Sequence, residues 1–379
     1  MQEEIAQDSI RIKQRAYQTA AERWAGVGPY YAMFPIAFAN DVILEHTRPG
    51  DTVFDPFAGR GTTVFSAAAN GRYGVGVELN PVGWVYSQAK LKPASYEAVW
   101  HRLGEINSVS RRDRDTADDL PQFFHHCFNR RVLQFLVAAR AELNWRQRPV
   151  DWTTMALLLV HLHGRLPDAL SNQMRQTKSM SPDYAIRWWQ ERSLLPPDLN
   201  PVEFIRRKLK WRYAKGRPQT GPSHVYLGDS VKRLPQLAQR LRKGRLNHAR
   251  LLLTSPPYFG LADYHYDQWL RLWLLGGPSE ARRSKEKHRG KFEHPEHYQQ
   301  LLTKVFASSS LLLHEEAVIY VRTGKQSFTY ETTKQALFQA FPNKQLCEYS
   351  RPYSRPTQTA LFGDHDPKDG EVDLILLPK

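Results

Sequence analysis

Three consecutive leucines, Leu251-Leu252-Leu253, run directly into Thr254-Ser255-Pro256-Pro257-Tyr258. A run that is apolar at every position reads as a short strand covered on both faces, which is the setting of a parallel sheet flanked by helices. The two prolines end it, because neither can donate to a sheet ladder. The residue before a proline is also pushed towards extended backbone, so Ser255 and Pro256 are held in a stiff, exposed loop. Open α/β sheets carry their chemistry in loops at the carboxyl ends of strands. This loop offers one hydroxyl, carbonyls without local donors, and an aromatic plane at Tyr258. Such a set suits a flat heterocycle carrying an exocyclic amine, with the ring stacked on Tyr258 and the amine donating to Ser255 and a carbonyl. A plain strand-ending turn or a polyproline segment shares the same composition, so the loop needs a second site elsewhere in the chain.

That second signal is Asp51-Thr52-Val53-Phe54-Asp55-Pro56-Phe57-Ala58-Gly59-Arg60-Gly61-Thr62-Thr63. A short β-rich strand ends at Asp55, a glycine-containing turn follows, and a helix begins at Thr62. Gly59 and Gly61 let the backbone turn sharply and a ligand come close, while the helix start offers unpaired N–H groups to a carboxylate. The next strand, Tyr73-Gly74-Val75-Gly76-Val77-Glu78, ends on a carboxylate about twenty residues past the glycines, where it can accept both ribose hydroxyls of a nucleoside cofactor. Gly-x-Gly-x-x-Gly is missing, which disfavours a nicotinamide dinucleotide, and Gly-Lys-Ser/Thr is missing, which disfavours ATP.

Together, Asp55-Pro56-Phe57-Ala58-Gly59-Arg60-Gly61-Thr62-Thr63, then Glu78-Leu79-Asn80-Pro81, then Thr254-Ser255-Pro256-Pro257-Tyr258 resemble motifs I, II and IV of the amino DNA methyltransferases. Ser-Pro-Pro-Tyr is the form usual for cytosine-N4 enzymes, whereas adenine-N6 enzymes usually carry Asp or Asn where Ser255 stands. The resemblance implies an α/β fold, a Rossmann-like class I methyltransferase sheet, with a mainly helical inserted target-recognition domain. It implies S-adenosyl-L-methionine as cofactor, held by Asp55, Phe57, Gly59, Gly61, Thr62, Thr63, Glu78 and Leu79. Phe34-Pro35 is similar to motif X, which touches the methionine end of the cofactor. Asp229-Ser230, after His224-Val225-Tyr226-Leu227-Gly228, falls where the motif III carboxylate reads the cofactor's adenine amine.

After Lys90 the alternation of strand and helix breaks, and about 130 residues intervene before the next sheet strand, far more than a linker needs. Positions 100–225 hold 21 Lys and Arg against 12 Asp and Glu, so nine of the chain's net +15 charges lie there. With a pI near 9.7, that field points to a polyanionic partner. Helices are expected over Val132 to Leu143 and Trp152 to Leu162. The polar run Ser171 to Pro182 reads as a loop whose Asn172, Gln173 and Arg175 suit base edges, with Lys178 a further DNA-binding candidate. The basic segment around Arg206, Arg207, Lys210 and Arg212 suits phosphates, and equally suits a solvated amphipathic helix. Its position between the cofactor motifs and the Pro-Pro-Tyr loop is that of the family's recognition domain, an order that defines the α group. The expected division is 1–99, an N-terminal arm and cofactor half; 100–223, recognition; and 224–379, the catalytic half.

Past Tyr258, Asp267 to Leu275 reads as a helix, residues 279–292 as a basic flap or exposed loop, and Glu331 to Phe341 as a helix. Ala317 to Val321, Leu346 to Tyr349 and Val372 to Leu377 read as strands, with the last two forming an antiparallel hairpin. The two cysteines, Cys127 and Cys347, form neither a metal-ligand spacing nor a disulfide framework, so a reducing compartment is expected. The start of the chain lacks a basic region followed by an apolar core, and no apolar run reaches a membrane span, so a cytoplasmic protein is expected.

The activity the resemblance implies is transfer of a methyl group to the N4 amine of a flipped cytosine in double-stranded DNA, with Ser255, Pro256, Pro257 and Tyr258 as the catalytic loop. A carbon-5 mechanism is disfavoured because neither cysteine follows a proline. Adenine-N6 methylation, or a DNA-binding protein of the same fold without activity, are the competing readings. Double-stranded DNA is the expected partner, and a cognate restriction endonuclease or other defence protein a candidate one. Neither the oligomeric state nor the recognition sequence is legible.

Overall fold

A computed structural model describes residues 17–29, 35–112, 117–260, 263, 265–282, 292, 294–351 and 370–379. The chain divides into two compact units. One comprises Ala32–Trp84, Gly221–Gln268 and Arg282–Lys379; the other comprises Met1–Tyr31, Val85–Thr220 and Trp269–Ala281.

The first unit is built on a seven-stranded sheet of β1 (Thr52–Asp55), β2 (Tyr73–Glu78), β3 (His224–Leu227), β4 (Ala249–Thr254), β5 (Leu313–Gly324), β6 (Lys344–Arg351) and β7 (Glu371–Pro378). Their order is β3-β2-β1-β4-β5-β7-β6. The first five are parallel, with Phe54 opposite Val75 on β2 and Leu252 on β4. The leucine run behaves as its pattern demands. Leu251 and Leu253 join Val53, Tyr320 and Ile375 on one face against Ala39, Val42 and Ile43 of the helix Ile36–His46. Leu252 joins Phe54, Val77, Ile319 and Leu374 on the other, under the helices Ser230–Arg242, Pro295–Ser310 and Ser327–Ala340. Alternate side chains thus feed two separate cores, and every position of the leucine run has to be apolar.

The closing pair is antiparallel, as its two apolar runs predict, but β7 lies between β5 and β6, pairing Gly324 with Glu371 and Arg351 with the same residue. Six strands of this Rossmann-like sheet thus run parallel, and β7 alone is inserted antiparallel, between β5 and β6.

The second unit is helical. It carries Tyr96–Arg112, Gln122–Cys127, Arg130–Glu142, Pro149–His161, Pro182–Gln190 and Pro201–Tyr213, together with the short helices Ala20–Ala25 and Trp269–Leu274. Its longest segment runs from Val85, inside the helix Pro81–Leu91, to Thr220. It also takes in residues from before and after the expected insertion. Trp269 and Trp273 pack edge-on to Phe123 and against Phe124, and Arg140 donates to the carbonyls of Trp273 and Gly277, which draws Trp269–Leu274 into this core. A buried pair, Arg102 Nε to Asp151 at 2.8 Å, crosses between the helices Tyr96–Arg112 and Pro149–His161.

Candidate active site at the carboxyl ends of the strands

In the order β3-β2-β1-β4, the chain's winding reverses between β1 and β4, and the loops leaving those two strands flank the crevice where open α/β sheets bind ligands. The two loops are tied together. Thr254 Oγ1, at the end of β4, donates to Asp55 Oδ1, at the end of β1, over 2.6 Å. The same oxygen accepts from Phe57 N at 3.0 Å. Burial pushes the Asp55 carboxyl up to about 6, against the opposing pull of the Thr254 and Phe57 hydrogen bonds.

Beyond Asp55 the chain turns through Gly59 and Gly61, both left-handed with φ of 55° and 73°. Gly61 is the N-cap of the helix Thr62–Ala69 and has no side chain to satisfy the first-turn N–H groups. Ala58 N donates to Val77 O and pins this turn to β2. A Cβ on Gly83 would lie 2.4 Å from Gly59 O, so the helix Pro81–Leu91 presses directly on the turn. Thr62 and Thr63 are buried, and Phe57 and Leu79 are half-buried beside it.

Glu78, buried at the end of β2, accepts from Asn80 N at 2.7 Å. Gly228 N donates to Glu78 O at 2.8 Å, linking the ends of β2 and β3. Asp229 stands half-exposed and caps the helix Ser230–Arg242 by accepting from Val231 N. Ser230 is expected beside the cofactor, but its hydroxyl donates to Pro56 O at 2.6 Å and so braces the β1 loop. Three carboxylates therefore occupy the ends of three adjacent strands. Pro35 is exposed at the N-cap of Ile36–His46; Phe34 lies outside the described residues, as do most of positions 279–292.

In the loop after β4, Ser255 is half-exposed, Pro256 buried, Pro257 half-buried, and Tyr258 only 8% exposed. The Tyr258 ring lies over Gly324, where a Cβ would come within 3.3 Å. Its hydroxyl donates to Glu371 at 3.1 Å and stands 3.4 Å from Ser255 Oγ. Behind Glu371, Arg322 forks onto Asp373 at 2.6 and 2.9 Å, lies 3.8 Å from Glu371, and stacks 3.6 Å above the Phe38 ring. Tyr320 donates to Asp373 at 2.9 Å. Arg322, Glu371 and Asp373 escape a motif reading. A signal for the last two does exist, since acids alternate at period two at the start of an otherwise apolar strand, Glu371-Val372-Asp373-Leu374.

In the helical unit the expected DNA-facing residues separate into two groups. Asn172 has no exposed surface: it donates to the carbonyls of His126 and Leu194, while its own oxygen accepts from Gln173 N. The Gln173 side chain accepts from Leu166 N. Both hold the irregular loop in shape, because a buried segment without secondary structure must find partners for its backbone groups; Asn172 is wholly engaged in this way, whereas Gln173 stays half-exposed. Arg212 is likewise buried, donating to Arg23 O, with its pKa lowered to about 10 by burial. Arg206 stacks 3.9 Å above Trp100 and pairs with Glu203. Arg175, Arg207 and Lys210 are exposed, and Lys178 is half-exposed.

Sheet order and site together give a Rossmann-like α/β fold whose ligand crevice is flanked by the glycine turn and the Pro-Pro-Tyr loop. Residues 6–83 match a family model described as DNA methylase. Over 81 residues the chain is 35% identical to the Type II methyltransferase M.Cfr9I of Citrobacter freundii, covering 21% of this chain and 26% of that one. It is 49% identical over 82 residues to the orphan methyltransferase M.BamHII of Bacillus amyloliquefaciens, 20% of this chain and 31% of the other. It is 48% identical over 84 residues to the DNA adenine methyltransferase YhdJ of Escherichia coli K12, 21% of this chain and 29% of the other. Residues 6–83, which include β1, the glycine turn and β2, are thus similar to the DNA methylase family. The matched stretches span between a quarter and a third of those relatives.

Proposed function

We propose that the chain is a site-specific DNA methyltransferase acting on the exocyclic N4 amine of a flipped cytosine. The observation that carries this reading is the Thr254–Asp55 hydrogen bond, which fixes the Ser255-Pro256-Pro257-Tyr258 loop beside the glycine turn. Bound S-adenosylmethionine supplies an electrophilic methyl group on a sulfonium. The residues present fit it: Glu78 takes the ribose hydroxyls, the bare helix start after Gly61 takes the carboxylate, Asp55 the ammonium, and Asp229 the adenine amine. Ser255 Oγ and the Pro256 carbonyl accept the base amine's protons, which localises the nitrogen's electron pair and aims it. Most of the rate gain then comes from alignment and from that polarisation. Glu78→Ala is expected to weaken cofactor binding by about 1.5–3 kcal/mol, the worth of a hydrogen bond to a charged group. Unchanged affinity by calorimetry in the folded variant would remove Glu78 from the site.

Adenine-N6 methylation is the second reading, supported by the similarity to a relative named as a DNA adenine methyltransferase. Nucleoside mass spectrometry after incubating unmodified DNA with labelled cofactor separates the two: label in 4-methylcytosine supports the proposal, and label in 6-methyladenine replaces it.

The helical unit is proposed to hold the DNA, with Arg175, Lys178, Arg207 and Lys210 as its phosphate contacts and Arg206 and Arg212 as its internal braces. Reversing Arg207 and Lys210 to Glu should flatten the dependence of log K on log salt by roughly 0.9 for each phosphate that is no longer neutralised. A wild-type slope would move recognition elsewhere. The similarity to Type II methyltransferases supports a restriction endonuclease as companion. Among the described residues no helix is long and apolar enough to cross a membrane.

A further inference from the structure

Ser255, Tyr258 and Glu371 form one line of oxygens, at 3.4 Å and then 3.1 Å, running from the loop after β4 to the first residue of β7. An ionised carboxylate can only accept. With Glu371 at the end of the line, the Tyr258 proton must point to it, the Tyr258 oxygen must accept from Ser255, and the Ser255 hydroxyl has only lone pairs left for anything on its far side. The direction of all three bonds is therefore set from Glu371. Its position is set in turn by β7 entering the sheet between β5 and β6, which brings it opposite Gly324, the residue under the Tyr258 ring, and within reach of the Tyr258 hydroxyl.

We propose that Glu371 is the terminal proton acceptor for the transfer reaction, reached through Tyr258 and Ser255, and that it fixes Ser255 as an acceptor beforehand. This rests on the methyltransferase reading of the site. As the amine nitrogen's electron pair forms the new N–C bond and the S–C pair stays on sulfur, the nitrogen is left with one proton too many. That proton passes to Ser255 Oγ, the Ser255 proton to Tyr258 Oη, and the Tyr258 proton to the Glu371 carboxylate, which becomes neutral. All three oxygens keep their electron count, and no other reactant is needed. The 3.4 Å step is longer than the roughly 2.8 Å of a settled O–H···O bond, and such bonds tighten when substrate is bound.

The charged and titratable groups facing Glu371 are Arg322 from β5, Asp373 from its own strand, and Tyr258. Arg351 stands opposite it in register on β6. Burial raises the Glu371 carboxyl, with Arg322 and the Tyr258 hydrogen bond opposing and Asp373 adding to the rise. A raised carboxyl is lost as an acceptor when pH falls through its folded value, so the rate should drop on the acid side, above the ordinary carboxylate range.

The test uses the full chain with Glu371→Gln, Tyr258→Phe and Glu371→Asp. Single-turnover transfer in wild type should show an acid limb. Glu371→Gln and Tyr258→Phe should each lose that limb and slow transfer at least tenfold, with the KM for DNA and the cofactor Kd within twofold. Glu371→Asp should restore part of the rate. Independently of activity, the 13Cζ resonance of Tyr258 should titrate with Glu371 in wild type and stay flat in Glu371→Gln. A Glu371→Gln protein with wild-type rate and pH profile, or a Tyr258 resonance indifferent to that change, overturns the relay alone. A titrating resonance in a wild-type protein that methylates no DNA overturns the reading of the site, and the relay with it.

Discussion

Ser255→Ala is expected to slow methyl transfer by roughly 10²–10³-fold while leaving the affinity for S-adenosylmethionine within a factor of two. The magnitude is that of deleting one preorganised hydrogen-bonding group aimed at changing charge. The selectivity follows from the layout, because the carboxylates proposed to hold the cofactor stand at the ends of β1, β2 and β3, whereas Ser255 follows β4. Ser255→Asn keeps an acceptor at the position and should recover part of the loss. Rapid-quench single turnovers with labelled cofactor, alongside calorimetric titration, measure both quantities. An unimpaired rate in Ser255→Ala would remove the hydroxyl from the chemistry.

The second large effect is on stability. Asp373 has no exposed surface and Arg322 is 8% exposed, and the fork between them spans neighbouring strands. Asp373→Ala is expected to cost about 3–5 kcal/mol, since it leaves a buried guanidinium without its carboxylate. Glu371, 3.8 Å away, is too far to replace the two missing bonds. Removing both charges, as Asp373→Ala with Arg322→Leu, should recover much of the stability, because the penalty comes from the unpaired charge more than from the missing attraction. Urea unfolding reads this as a shift in midpoint at unchanged slope. A loss below about 1 kcal/mol in Asp373→Ala would mean that the fork contributes little.

Much of this architecture was legible because it is written locally. An uninterrupted apolar run needs two covered faces, two prolines stop a strand, and glycines before a helix start mark a ligand turn, and each of these depends on residues a few positions apart. What was not legible depends on residues far apart. Asn172 and Arg212 are polar in a polar or basic stretch, and only the folded chain turns their donors inward onto the carbonyls of His126, Leu194 and Arg23. The start of the helical unit's longest segment, at Val85, lies inside a continuous helix. Glu371 belongs to the site through its pairing with Gly324, 47 positions earlier in the chain. The closing hairpin has the same local pattern whichever of its strands lies inside, so its order in the sheet could not be read from either strand.

That order has a consequence for how the protein is made. β6 is synthesised before β7, yet in the described sheet β6 is bonded to β7 alone, and β5 has β7 as its outer neighbour. Until residues 371–378 leave the ribosome, β6 has nothing to pair with and the Tyr320–Gly324 end of β5 remains an open edge, the kind of surface on which nascent chains join one another. The parallel part of the sheet has to hold without its last strand during that interval. The residue that completes the proposed relay arrives with the strand that covers the β5 edge, so a growing chain gains that pairing and the Glu371 carboxylate at the same moment.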